Sequence, residues 1–173
     1  FWPGSISAVG AVKKGALLGL LERVELFLYA RAALVAALTE AFKRNLVGRG
    51  IAPGHVAVVI NGVDLPRYGP RERDPELARE WGLEGKFVVG YVGTHGMAHG
   101  LANVLAAADG LRDVADLHFL FVGAGAERDA LIAEKEARGL TNVIFAPPQP
   151  KPEMPRVWSL CDVALVHLKD SPT

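Results

Sequence analysis

Residues 87–100 read Phe-Val-Val-Gly-Tyr-Val-Gly-Thr-His-Gly-Met-Ala-His-Gly. The opening run is apolar at consecutive positions instead of alternating ones. A strand buried on both faces of a parallel sheet reads that way. The glycines at 93, 96 and 100 and the histidines at 95 and 99 then follow with no spacer. A tight turn needs one or two glycines. A loop whose backbone is closely approached uses more, because glycine has no Cβ to obstruct the approach.

Working outward, the same apolar grammar recurs. Residues 101–111 read as a helix, 117–122 as a strand and 126–138 as a charged helix, with Gly123-Ala124-Gly125 turning between the last two. A strand follows at 143–145, a short helix at 152–160 and a strand at 162–166. A short helix at 75–81 precedes the first strand, placed at 86–92. Strand and helix thus alternate four times, and right-handed crossovers place such helices on the sheet faces. The expected class is α/β, a doubly wound parallel sheet.

The first 64 residues read as the tail of another α/β domain. Leu17, Leu20, Leu21, Val24 and Leu28 share one face of a helix, expected to pack on its own domain. The sharper alternative lays that face on a membrane surface, aided by Lys13, Lys14 and Arg23. A strand is expected at 32–38. Thr39 is placed to cap the next helix, with Glu40 in its first turn and Lys43, Arg44 and Arg49 further on, which suits the helix dipole. Gly48, Gly50 and Pro53 end it. A second strand at 55–60 is followed by Asn61-Gly62, a turn signal. Residues 65–75 are rich in proline and charge and read as a linker. The expected organisation is therefore 1–64 as the end of one domain, 65–75 as linker, and 76–173 as the first part of a second domain.

Bulk composition narrows the function. The chain has 173 residues, 50% hydrophobic and 22% charged, and is globular in composition. Lys+Arg and Asp+Glu are both 19, so no basic footprint for nucleic acid is expected. Cys161 is the single cysteine; it reads as a small core residue, and a reducing compartment is expected. No metal-ligand spacing is present. The chain starts without methionine and stops just after a strand-like run, which leads to the expectation of a segment of a longer protein.

In doubly wound sheets ligands bind at the carboxyl ends of the strands. The clusters at 93–96 and 123–125 fall there, and free N–H groups beside a helix N-terminus suit phosphate. His95 and His99 read either as donors to a phosphate oxygen or as exposed loop residues. His167 is placed at the same end by the last strand, which Asp162 opens; His118 begins a strand, at the opposite end. Glu134 and Glu136 read as a solvated helix face. Gly93, Gly96 and Gly100 lie three and four apart, which is neither G-x-G-x-x-G nor a Walker loop, and a dinucleotide-binding oxidoreductase is disfavoured.

The ordered set of segments resembles retaining glycosyltransferase family 4, of the two-domain GT-B fold. Asn61-Gly62-Val63-Asp64 after residues 56–60 is similar to its interdomain hallmark. Phe119-Leu120-Phe121-Val122-Gly123-Ala124-Gly125 is similar to its "LVGxG" turn. Residues 36–42, 87–93, 140–145 and 161–165 are similar to further family segments, and the loop at 93–100 most resembles a subgroup that builds bacterial surface polysaccharides. The resemblance implies a nucleotide-sugar donor, UDP-linked, held by the second domain, and a saccharide or lipid-linked acceptor at the first. It implies Gly93, Thr94, His95, Gly96, His99, Gly123 and Gly125 around the donor's diphosphate, and Pro147 in the loop whose backbone reads the base. Gly62 and Asp64 are similar to hinge residues. No cofactor or metal is implied, and the setting is cytoplasmic, with peripheral contact at the inner membrane face. Many members carry a lysine where this chain has His99. The family's acidic E-x7-E segment is expected beyond residue 173, so these residues alone are expected to give no turnover, and no catalytic residue is assigned. The alternative is a non-catalytic nucleotide-binding module or a degenerate remnant.

Overall fold

A computed structural model describes residues 16–169, which form two compact units dividing between Asp64 and Leu65. Lys13 and Lys14 lie outside the described residues.

The first unit contains helix α1 (Ala16–Arg31), strand β1 (Val35–Ala37), helix α2 (Glu40–Gly48) and strand β2 (Val56–Val58). The two strands pair in parallel with Val35 opposite Val56, making a β-α-β unit. Thr39 is the N-cap of α2, its Oγ accepting from the Phe42 amide at 3.1 Å. The strands are shorter than expected at both ends. Ala37, Leu46, Ile51 and Val56 form the core, with Leu26, Tyr29 and Val35 packed on it.

Two expectations fail here. Leu17, Leu20, Val24 and Leu28 of α1 are exposed, and Leu21 is half-buried; the inward residues are Leu18 and Glu25. The cause is polar. Glu25 accepts from Tyr29 Oη at 3.0 Å and from Arg49 Nη2 at 2.6 Å, so the face carrying the carboxylate turns toward α2. A count of apolar residues cannot register that preference. Asn61-Gly62 makes no turn either: Gly62 lacks the positive φ such hairpin turns require, and the chain turns instead at 65–67.

The second unit runs through α3 (Pro75–Glu80), β3 (Phe87–Val92), α4 (Leu101–Gly110), β4 (Leu117–Val122), α5 (Arg128–Ala137), β5 (Val143–Ala146), α6 (Met154–Ser159) and β6 (Val163–Ala164). The sheet is all parallel in the order β5-β4-β3-β6. The chain winds outward from β3 to β5, then crosses back to place β6 on the other side of β3. This is the doubly wound α/β architecture expected from the apolar runs.

Alternation along each strand divides the core into two layers. Tyr91, Phe119, Phe121 and Val143 face α4 and α5, where Leu101, Val104, Leu105, Ala108 and Leu131 meet them. Val88, Leu120, Val122 and Ala146 face the other way, onto Leu77, Ala78, Val157 and Leu160. Both faces of β3 and β4 are covered, which is why neither strand alternates in polarity. Each fully buried side chain of the size of Leu120 or Phe121 contributes about 1.5–3 kcal/mol. Gly90 belongs to this packing as well. A Cβ there would lie 2.2 Å from Cys161 Sγ, and burial pushes the Cys161 thiol up to about 11.

Polar ties secure the start of the unit. Asp74 caps α3 through the Leu77 amide at 2.9 Å and takes Arg156 Nε at 2.6 Å. Arg73 donates to Asp162 at 2.6 Å, and the same Asp162 oxygen accepts from the Val88 amide at 2.7 Å. Arg73 and Asp74 thus belong to the fabric of the second unit.

Candidate functional site

Two loops leave the carboxyl ends of neighbouring strands β3 and β4 and run side by side. The Gly93 amide donates to Val122 O at 3.0 Å, and the His95 amide donates to Ala124 O at 2.9 Å. Further along, the Glu127 amide donates to His95 O at 3.0 Å, joining the first loop to the start of α5.

This contact accounts for two of the glycines. Gly123 has φ 146°, and a Cβ on it would sit 2.0 Å from Gly93 O. A Cβ on Gly125 would sit 2.3 Å from His95 O. No side chain fits at either position, because another loop's backbone already occupies the space. Sequence reasoning attributed these glycines to the approach of a ligand; the structure assigns Gly123 and Gly125 first to the approach of one loop to the other. The amides of Thr94, Gly96 and Gly125 have no protein partner among the described residues. Thr94 is exposed, and its carbonyl is held by Tyr91 Oη at 2.8 Å.

His95 is the largest departure from expectation in its surroundings. It is fully buried, not at the loop surface. Its ring meets Phe121 and Phe145 edge-on, at centroid distances of 6.2 and 5.9 Å, and Tyr91 at 5.9 Å. Phe121 and Phe145 stack on each other at 4.8 Å. Neither ring nitrogen has a partner among the described residues. Burial holds its pKa below the ordinary imidazole value, with the charge of Arg128 and then His99 acting in the same direction. The ring is therefore neutral at pH 7, and a protonated His95 donating to an anion is not the form this environment favours.

The rest of the expected set is distributed around this pair of loops. His99 is half-buried, its ring 5.9 Å from Tyr91, and its carbonyl meets His167 Nδ1. The Lys169 amide donates to Ala98 O at 2.9 Å. The segment after β6 thus lies along the end of the first loop, as the position of His167 implied. Gly100, with φ 57°, precedes the first residue of α4, and a Cβ there would lie 3.0 Å from Lys169 Cγ. Pro147 is exposed just past β5, and its carbonyl accepts from Gln149 Nε2 at 3.3 Å. His118 sits in the second position of β4, away from these loops. Among the described residues no group of three or more His, Cys, Asp or Glu side chains is placed to hold a metal.

The geometry gathers the carboxyl ends of β3, β4 and β6, and with them the N-termini of α4 and α5. The strand order reverses between β3 and β6, the place where doubly wound sheets bind ligands. Sequence reasoning missed Arg128, the first residue of α5, whose Nε is buried without a partner among the described residues. A cation directly after a glycine turn, in the first turn of a helix, was the signal available. It also missed the aromatic box around His95, because Tyr91, Phe121 and Phe145 come from three strands.

Residues 74–170 match the family model described as glycosyl transferases group 1. Over 138 residues the chain is 30% identical to the Escherichia coli (strain K12) protein named "Putative colanic acid biosynthesis glycosyl transferase WcaI", a match covering 78% of this chain and 34% of that one. Among solved structures it is similar to Anabaena Alr3699/HepE, determined in complex with UDP and glucose, at TM-score 0.70 and 24% identity over 82% of this chain and 40% of that one. It is also similar to WaaG, described as a glycosyltransferase involved in lipopolysaccharide biosynthesis, at TM-score 0.69 and 17% identity over 97% and 48%. The chain therefore spans a third to a half of the length of these proteins.

Proposed function

Since the chain belongs to the glycosyl transferases of group 1, we propose that it forms the donor-holding part of an enzyme that transfers a sugar from a UDP-linked donor. The acceptor in this reading is a saccharide or a lipid-linked saccharide of bacterial surface polysaccharide synthesis. The reaction is of the retaining family 4 type and takes place on the cytoplasmic side, with peripheral contact at the inner membrane face. Among the described residues no helix is long and apolar enough to cross a membrane.

One observation carries this reading. The loops at 93–96 and 123–125 lie together at the carboxyl ends of β3 and β4, with the amides of Thr94, Gly96 and Gly125 free of partners among the described residues. Those amides and the N-terminal ends of α4 and α5 present positive potential to one region. A diphosphate leaving group gathers negative charge as the bond to the sugar breaks. Dipoles fixed in advance stabilise that charge without reorganising. The protein's part in such a step is electrostatic: it orients the donor and holds the diphosphate. Pro147 and its neighbours after β5 offer backbone to the base. The relatives named above, one of them holding UDP, support the donor class.

The test is calorimetric titration of the chain with UDP. Binding that is lost when the diphosphate is removed, with uridine as the probe, supports the reading. Equal affinity for UDP and uridine, or no affinity for either, overturns it.

A further inference from the structure

We propose that Arg128 is the side chain that supplies the cation to the donor's diphosphate. The inference rests on the donor reading above and adds to it the residue that meets the charge.

The two loops are poor in positive charge. Between Gly93 and Gly100 the polar side chains are Thr94, His95 and His99, and His95 is sealed in an aromatic box. Between Gly123 and Glu127 there is no basic residue. Arg128 comes next, at the start of α5, and its own amide donates to Gly125 O at 3.1 Å. It therefore stands at the end of the glycine turn whose amides are unoccupied.

Three observations single it out. Its Nε is buried and has no partner among the described residues. An arginine normally satisfies a buried N–H, because leaving one unmet costs about 1–3 kcal/mol. Its guanidinium forms no ion pair among the described residues, although Glu127 and Asp129 flank it; the exposed Arg31, Arg44 and Arg71 form none either, but of these only Arg128 has a buried Nε. Its position also runs against the dipole of α5, whose amino end disfavours a cation unless an anion lies beside it. A bound diphosphate resolves all three. It draws the side chain outward so that Nε can donate to it, neutralises the guanidinium, and lies between that charge and the free amides of the loops. A planar guanidinium offers two parallel N–H bonds to phosphate oxygens, which an ammonium does not.

The fully buried His95 supports this placement. Its carbonyl receives the Glu127 amide, which fixes the start of α5 against the first loop. Arg128 is thereby carried to the same rim as Thr94 and Gly96.

The experiment is titration of the 173-residue chain and its Arg128→Gln, Arg128→Lys and Arg79→Gln variants with UDP and with uridine, each variant checked by thermal melting. Arg79 is exposed on α3 and serves as the charge control. Arg128→Gln is expected to lower UDP affinity by about tenfold or more, in line with the loss of a charged hydrogen bond, and to leave uridine unchanged. Arg128→Lys is expected to fall between, and Arg79→Gln to match the parent. UDP affinity in Arg128→Gln within twofold of the parent overturns the proposal while leaving the donor reading intact. An equal loss of uridine and UDP with a lowered melting temperature also overturns it, since it assigns Arg128 to holding the loop. Failure of the parent chain to bind UDP at all overturns the donor reading, and this inference with it.

Discussion

The carbonyl oxygen of Gly93 occupies the space that a side chain on Gly123 would need: an added Cβ would lie 2.0 Å from it. Two loops from adjacent strands are thus locked by a backbone-to-backbone contact. Gly123→Ala is expected to force them apart, destabilise the second unit by on the order of 2 kcal/mol, and weaken UDP binding in parallel. Chemical denaturation and calorimetry on the same sample check both. Unchanged stability would mean the loops separate without cost.

Glycine at position 19 is dispensable, and the contrast is measurable. Gly19 lies inside α1 with nothing within 4 Å of a built Cβ and no positive φ. Gly19→Ala is expected to stabilise the first unit by about 1 kcal/mol through helix propensity. A rise in the denaturation midpoint is the readout.

Burial of His95 makes the second unit sensitive to acid. Its folded-state pKa lies below the ordinary value of about 6.5. The unfolded chain therefore binds the proton more readily, and stability falls as pH drops through about 6.5 toward the lower folded value. Melting temperature is expected to decline over that window. His95→Phe, which keeps the aromatic packing and removes the titration, is expected to flatten the decline. An identical pH profile in the variant would assign the loss to other groups.

Asp74 responds at lower pH. Its hydrogen bond with Arg156, and then the Leu77 amide, hold its carboxyl down to about 2. Its contribution is present above the ordinary carboxylate value of about 4 and is lost as pH falls from there toward 2. Asp74→Asn keeps a cap for α3 but gives up the ion pair. It is expected to lower stability at neutral pH and to lose most of its difference from the parent as pH falls toward 2. Circular dichroism melts across this range decide it.

Glu25 and Arg49 test the correction in the first unit. The Glu25 side chain is 7% exposed, and its carboxylate holds both Tyr29 and Arg49. Glu25→Ala leaves a half-buried guanidinium without this partner and is expected to cost about 3 kcal/mol. Restoring an apolar match with the pair Glu25→Leu and Arg49→Met is expected to recover most of that loss. A single variant as stable as the parent would show that α1 is not oriented by the ion pair.

The sequence by itself determined the order of elements, the parallel winding of the second unit and the rim on which the glycine loops sit. Those properties follow from runs of consecutive apolar residues in β3 and β4, from Thr39 ahead of α2, and from glycines directly after strands. Each is a short-range rule that operates within about ten residues. Only the tertiary structure decided why the glycines are there, where His95 points and which face of α1 turns inward. Gly123 is required by Gly93, thirty positions away; His95 is enclosed by Phe121 and Phe145 from two other strands; Glu25 is drawn in by Arg49 from the next helix. Contacts between residues so far apart in the chain leave no periodic mark, because their energy arises only once the strands have been set side by side.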